Sequence, residues 1–402
     1  MLGTLFPKQE AMQEWFQAVG LHFDPFVSLE ASTDPHLLVY WVGHDAFATA
    51  WGDWPTFVFA PPGGGKTALS LRVSQACWMG QETNRPFPIS YLPPFLKWGH
   101  TRPTVDEHLN ALAQAGTLHL LLILSHRPHW FMRLDDDGRR TIRQVLEWNL
   151  PGPLSSYLQP CLEESNLAPL QSLFPPAMLP PDPPRADTLM EFSSALLRTS
   201  APPAGERPTA QAQWQVLVHA LLGVLGFPSV YLLVDGLDAV GETAEDPETA
   251  IRALSPLLSL TTEWAEQRLF FKAFIPVETL RIIQKDYSSS FSRSQSLTLE
   301  WTPALLAEIV HRRVYVASQG NFGSLGMVAS PLLRDIEVQM AKEVYPLPRE
   351  MLVLTQRVIE ECAAHMDTNL FIQKEDVDSA LQWYRQNAVL PQLMNLELRG
   401  RP

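Results

Sequence analysis

The sequence predicts an α/β protein, a three-layer αβα parallel sheet with a C-terminal all-helical lid. Short apolar runs at residues 56–60, 88–92, 229–234 and 269–275 read as buried strands. Helical periodicity fills the intervals between them, and beyond Leu299-Glu300-Trp301 the chain reads as helix after helix. Strands that alternate with helices build a parallel sheet, because parallel neighbours need a long crossover to return the chain to the same end.

The first element is a helix over residues 8–19, with Met12, Trp15, Phe16 and Val19 on one face. Residues 1–50 thus form an N-terminal helix and a lead-in to the first strand. That strand, Thr56-Phe57-Val58-Phe59-Ala60, breaks into Pro61-Pro62-Gly63-Gly64-Gly65-Lys66-Thr67, and Ala68 continues into a helix. A strand, a glycine turn and a helix N-terminus make a phosphate-binding loop. Glycines let backbone N–H groups close around phosphate oxygens, and the helix end favours negative charge. In that pattern Lys66 reaches the β- and γ-phosphates of ATP or ADP, and Thr67 places its hydroxyl on Mg²⁺. Ala60 stands where the strict pattern has glycine. The aromatic lead-in, Phe23-Asp24-Pro25-Phe26 and Leu37-Leu38-Val39-Tyr40-Trp41-Val42, fits an adenine pocket and fits ordinary packing equally well.

Composition narrows the class. At 402 residues and 46% hydrophobic the chain can fill two cores. It has no apolar stretch of about eighteen residues and no basic, apolar, cleavable leader, which implies a soluble cytoplasmic protein with no membrane partner. Cys77, Cys161 and Cys362 are scattered, which excludes a disulfide framework or a thiolate zinc site. A net charge of −13 disfavours nucleic acid. The short basic patch Arg139, Arg140 and Arg143 follows three aspartates and reads as a solvated helix start.

After the second strand a helical region runs from Val105 to about Trp148. Residues 151–208 are punctuated by prolines such as Pro180-Pro181-Asp182-Pro183-Pro184, which reads as a stiff surface connector. The core therefore spans residues 51–298, with a helical, Pro-rich insertion at about 100–210, and the helical lid spans 299–402. The next strand ends in Val234-Asp235-Gly236-Leu237-Asp238. A carboxylate at the end of a parallel strand, beside a phosphate loop, can hold Mg²⁺ opposite Thr67, and Asp235 fits that role. Asp238 is the first choice to orient an attacking water, with Glu242 as the alternative. A helix over 247–264, the strand 269–275, a serine-rich mobile loop at 288–294 and four lid helices complete the chain.

With these motifs in place, residues 21–92 and 229–386 resemble the AAA+ and STAND branch of P-loop ATPases, which includes origin-recognition and NACHT-type switch proteins. The resemblance implies the P-loop NTPase fold, ATP and Mg²⁺ as cofactors, and a lid that responds to nucleotide. The Asp235 segment is similar to the NACHT-type second motif, with Ala239 where that family places glutamate. Gly236 stands where AAA+ enzymes place theirs, and both departures imply slow hydrolysis. Trp301-Thr302-Pro303 through Arg313 looks like the origin-recognition lid pattern, which gives Arg313 a catalytic part. Leu347-Pro348-Arg349-Glu350 looks like the motif whose arginine, here Arg349, contacts the γ-phosphate. The residue-level alternatives are a helix-end role for Arg313 and a pairing with Glu350 for Arg349. Lys272 is the only charged candidate for the polar position on the fourth strand.

The function expected is a nucleotide-dependent molecular switch with slow ATP hydrolysis that controls self-assembly into a homo-oligomer or engagement of a separate protein partner or effector. The competing expectations are a DNA-handling initiator or transposition helper, against which the acidic balance counts, and a non-catalytic nucleotide-binding scaffold.

Overall fold

The sheet has five strands: β1 (Thr56–Ala60), β2 (Phe87–Tyr91), β3 (Val230–Val234), β4 (Leu269–Pro276) and β5 (Gln295–Thr298). Their order is β2-β3-β4-β1-β5, and every neighbouring pair is parallel. The computed structural model describes residues 6–79, 82–94, 103–180, 182–201, 208–238, 243 and 246–387. It divides into two units: Asp45–Pro62 with Lys66–Thr298, and Met1–His44 with Gly63–Gly65 and Leu299–Pro402.

In the sheet unit, β1, β3 and β4 are buried along their whole length. This matches their largely apolar runs, interrupted in β4 by the buried Lys272, since an inner parallel strand is covered on both faces. The connection leaving β1 runs one way across the sheet to β2, and the connections β2 to β3, β3 to β4 and β4 to β5 all return the other way. Under the right-handed crossover rule, connections running in opposite directions fall on opposite faces, so this strand order is compatible with a three-layer arrangement. The carboxyl ends of β1 and β4 are where these connections diverge, which is where open α/β sheets form a crevice.

β5 escaped the sequence reading. Its residues, Gln-Ser-Leu-Thr, are mostly exposed and carry no apolar run; the open edge of β1 templates them by backbone pairing alone. The serine-rich segment before it is a short helix, Ser288–Ser292, and not a mobile loop. The buried Ser290 hydroxyl donates to Leu258 O at 2.9 Å and ties it down.

The expected helical region from 105 to about 148 consists of three helices, Val105–His126, Pro128–Met132 and Asp136–Asn149. Pro128 lacks the N–H that would continue the first of them. Thr104 opens that helix with a reciprocal cap, its Oγ1 accepting from Glu107 N at 3.2 Å while the Glu107 carboxylate accepts from Thr104 N at 2.7 Å. Leu120–Leu124 are fully buried as the helix packs against β2 and against the Ala210–His219 helix. The proline-punctuated stretch is also more than a surface connector. It contains helices Leu154–Glu164, Ala168–Gln171 and Ala186–Arg198, and Phe174, Ala177 and Met178 are buried. Several of its prolines stand at first helical turns, where no N–H is needed.

The other unit is helical. The Phe6–Ala18 helix shares one core with Pro303–Ala317, Ile336–Glu343, Pro348–Ala363 and Lys374–Asn387, built from Trp15, Phe16, Phe26, Leu306, Val310, Met351, Ile359 and Tyr384. The Trp15 indole N–H donates to Leu370 O at 2.9 Å. Residues 1–44 therefore belong with the C-terminal helices and not to a separate lead-in. Among the described residues no helix is long and apolar enough to cross a membrane.

Candidate functional site

In the sheet unit, β1 delivers Ala60, Pro61 and Pro62 to the carboxyl edge, and the following helix begins at Lys66. Lys66 is 4% exposed. Its ammonium donates to Ala60 O at 2.9 Å and Pro61 O at 3.1 Å, and lies 2.7 Å from Asp238 Oδ2. The lysine thus folds back over the start of its own loop and is neutralised by the carboxylate that follows β3. Thr67 and Ala68 are half-buried in the first helical turn.

Asp235 stands directly after β3, where its N–H donates to Tyr91 O at 3.3 Å and extends the β2–β3 ladder by one residue. Its Oδ1 accepts from Gly236 N at 2.8 Å, and the nearby Thr67 side chain helps to hold its pKa down. Desolvation pushes the Asp235 pKa up to about 6. The Thr67 side chain, the Gly236 hydrogen bond and the charge of Lys66 oppose that rise, and the charge of Asp238 adds to it. Lys66, Thr67, Asp235 and Asp238 are therefore one cluster, with an ammonium, a hydroxyl and two carboxylates. Such a set can neutralise an anion and offer hard oxygen ligands to a divalent cation.

Gly236 has a structural reason. Its φ is +84°, and a Cβ built there would lie 2.5 Å from Leu92 Cδ1. A side chain after Asp235 would be strained by the backbone, and the exposed Leu92 side chain would have to move aside for it. Ala239 and Glu242, the alternative water-orienting acid, lie outside the described residues.

The three loop glycines, Gly63, Gly64 and Gly65, belong to the helical unit. Within it the Trp301 indole N–H donates to Gly64 O at 2.9 Å, and Arg349 N reaches Gly63 O at 3.4 Å. Arg349 leads the Pro348–Ala363 helix, and its Cβ is 2.9 Å from where a Cβ on Gly63 would stand. Its guanidinium is half-exposed and lies 3.8 Å from Glu30; Glu350, the expected helix-start partner, is buried. The sequence reading passed over Trp301, treating it only as the first residue of a lid pattern. A lone indole followed by Thr-Pro carries no local signal for a contact 237 residues away.

Arg313 is placed elsewhere in the helical unit. It is 5% exposed, inside the Pro303–Ala317 helix and not at its end, so neither dipole service nor contact with a neighbouring molecule suits it there. Its guanidinium pairs with Asp34 Oδ2 at 2.9 Å, donates to Pro25 O and lies over the Tyr40 ring at 4.6 Å.

Lys272 pairs in register with Thr56, the first residue of β1, so it lies at the opposite end of the sheet from the loop. It is fully buried in the inner strand β4, and its ammonium donates to Trp54 O at 2.8 Å and to Thr56 Oγ1 at 3.2 Å. Burial pushes its pKa down to about 7. It therefore braces the entry to β1 and does not fill the polar position expected near a phosphate.

The chain was compared with protein-family models, with curated proteins and with solved structures, and it matches none of them.

Proposed function

We propose that this chain is a P-loop ATPase of the AAA+/STAND kind, an ATP- and Mg²⁺-binding molecular switch with slow hydrolysis that controls assembly or engagement of a partner. One observation carries the reading: residues 170 positions apart in sequence, Lys66 with Thr67 and Asp235 with Asp238, meet at the carboxyl edge of a parallel sheet. The donor set fits Mg²⁺ and a polyphosphate. Thr67 and Asp235 offer two neighbouring hard oxygen ligands, and Mg²⁺ takes few protein ligands and keeps several waters. Lys66 is a buried cation whose carboxylate partner can be exchanged for phosphate oxygens. Positive φ at Gly63 and Gly65, +79° and +92°, suits a backbone nest for an anion.

Bound MgATP supplies the phosphoanhydride and a Lewis acid at its phosphate oxygens. In the protein, Lys66 offers charge neutralisation, Asp235 and Thr67 hold the cation, and Asp238 is the carboxylate placed to orient a water. Gly236 leaves Asp235 without an adjacent general base, which supports slow turnover and suits a switch better than a motor. The same observation favours a second reading, a scaffold that binds nucleotide and does not turn it over.

Titration of a fluorescent ATP analogue with Mg²⁺ tests the main reading. Wild-type protein should bind and Lys66→Ala should lose binding; retained affinity in the variant would sink the site. Turnover equal to that of Asp235→Asn would establish the scaffold.

A further inference from the structure

Two consecutive carbonyls of the glycine turn are held from outside the turn. The Trp301 indole N–H donates to Gly64 O at 2.9 Å, within the ordinary range, and Arg349 N reaches Gly63 O at a longer 3.4 Å. Both peptides are trans. In a trans peptide the C=O and the N–H of the next residue lie in one plane and point in opposite directions. A donor that fixes Gly64 C=O therefore also fixes Gly65 N–H, aiming it away from the indole. By the same logic Arg349 N orients the N–H of Gly64.

This matters because a glycine turn has little intrinsic preference for either peptide orientation. A flipped Gly64–Gly65 peptide would present an oxygen where the loop must present a donor, and would repel an anion. The approach is close enough to act as a lock. A Cβ on Gly65 would lie 3.2 Å from Trp301 Cζ2, so the indole rests directly on the turn. The His44 ring meets Trp301 edge-on at 5.0 Å and hydrogen-bonds Glu300 O at 3.0 Å, which buttresses the indole from behind.

We infer that Trp301 is a positioning residue for phosphate binding: its indole N–H pins the Gly64 carbonyl so that the Gly65 N–H is preorganised as an anion donor. The inference rests on the phosphate-loop reading above and adds a residue to it. The part of the ligand it acts on is the phosphate chain and not the base.

The probe is inorganic tripolyphosphate, titrated calorimetrically into the full chain. Two variants are compared with wild type: Trp301→Phe, and replacement of Trp301 by 3-benzothienylalanine, which keeps the bicyclic shape but has sulfur in place of the N–H. Losing one preorganising hydrogen bond should weaken tripolyphosphate binding about fivefold to tenfold in both variants, with the melting temperature of the benzothienyl protein unchanged. Wild-type affinity in the benzothienyl protein would overturn the inference and leave the phosphate loop standing. So would a fall in affinity that only tracks a fall in melting temperature, because that marks a structural role alone. Failure of the wild type itself to bind tripolyphosphate would overturn the phosphate-loop reading, and this inference with it.

Discussion

Asp238 Oδ2 lies 2.7 Å from Lys66 Nζ, so the carboxylate that follows the third strand neutralises the lysine that follows the first. Lys66 is almost wholly buried and Asp238 retains 17% of its side-chain surface, which makes the pair only partly desolvated. Removing the carboxylate leaves a buried ammonium with carbonyl partners alone. Asp238→Asn should therefore lower the unfolding free energy of the protein by about 1–3 kcal/mol in chemical denaturation. Because Asp238 competes with phosphate oxygens for the same ammonium, the variant should bind ATP severalfold more tightly while turning it over more slowly. Weaker binding would instead make Asp238 a direct support of the ligand.

Gly236→Glu tests whether an acid can be accommodated directly after Asp235, where the proposed AAA+ reading would place one. If slow turnover reflected only a missing side chain, the substitution would accelerate hydrolysis. The +84° φ predicts the reverse. The variant should be destabilised by about 1–3 kcal/mol, with no gain in turnover. Steady-state phosphate release and a denaturation curve measure both.

Arg313 and Asp34 form a buried pair, 6% and 4% exposed at their side chains. Breaking such a pair by removing one member costs about 3–5 kcal/mol, because the other charge is left buried. Arg313→Met and Asp34→Leu should each lower the melting temperature markedly, and the double variant should recover much of the loss. A trans-acting arginine would behave otherwise: Arg313→Met would leave stability intact and remove ATP-dependent self-association, read by light scattering.

His311 gives the helical unit a pH dependence. Its Nε2 is 3.5 Å from Glu337 Oε2 and its Nδ1 is 3.7 Å from Glu308 Oε2. The hydrogen bond to Glu337 raises the His311 pKa above its ordinary value of about 6.5, against the opposing effect of burial. A raised histidine pKa contributes stability that is fully present below about pH 6.5 and is lost as pH rises through the folded value. Glu337 has the opposite sign. Burial alone would raise its pKa, but the His311 bond, with smaller contributions, holds it below the usual range, so its contribution is lost in acid. His311→Gln should melt up to about 3 °C below wild type near pH 6, a modest shift because the imidazole is 35% exposed, and no lower than wild type at pH 9.

Four of the five strands and both halves of the candidate site were legible in the sequence, for a physical reason. A buried parallel strand is apolar along most of its length, and β1, β3 and β4 announce themselves that way even though β4 carries the buried Lys272. The glycine turn and the acid after β3 are local signals too, since the glycines meet a backbone requirement and the acid follows directly on the apolar run. β5 carried no such signal because an edge strand needs only backbone pairing. The proline-rich insertion misled because local propensity says where helices cannot continue, and says nothing about which apolar residues find cover.

The sequence by itself determined the α/β class of the fold and the order of its main elements, and it pointed to Lys66, Thr67, Asp235 and Asp238 as one candidate group. Only the tertiary structure decided what each charged side chain does. It paired Lys66 with Asp238 and buried Arg313 against Asp34. It placed Lys272 at the far end of the sheet, gave Gly236 after Asp235 a positive φ, and put the Trp301 indole on the Gly64 carbonyl. The pairings among them join residues 172 to 279 positions apart. Periodicity and spacing report only what neighbours along the chain require of one another, whereas a charge or a hydrogen-bond donor takes its role from the groups that packing brings to it.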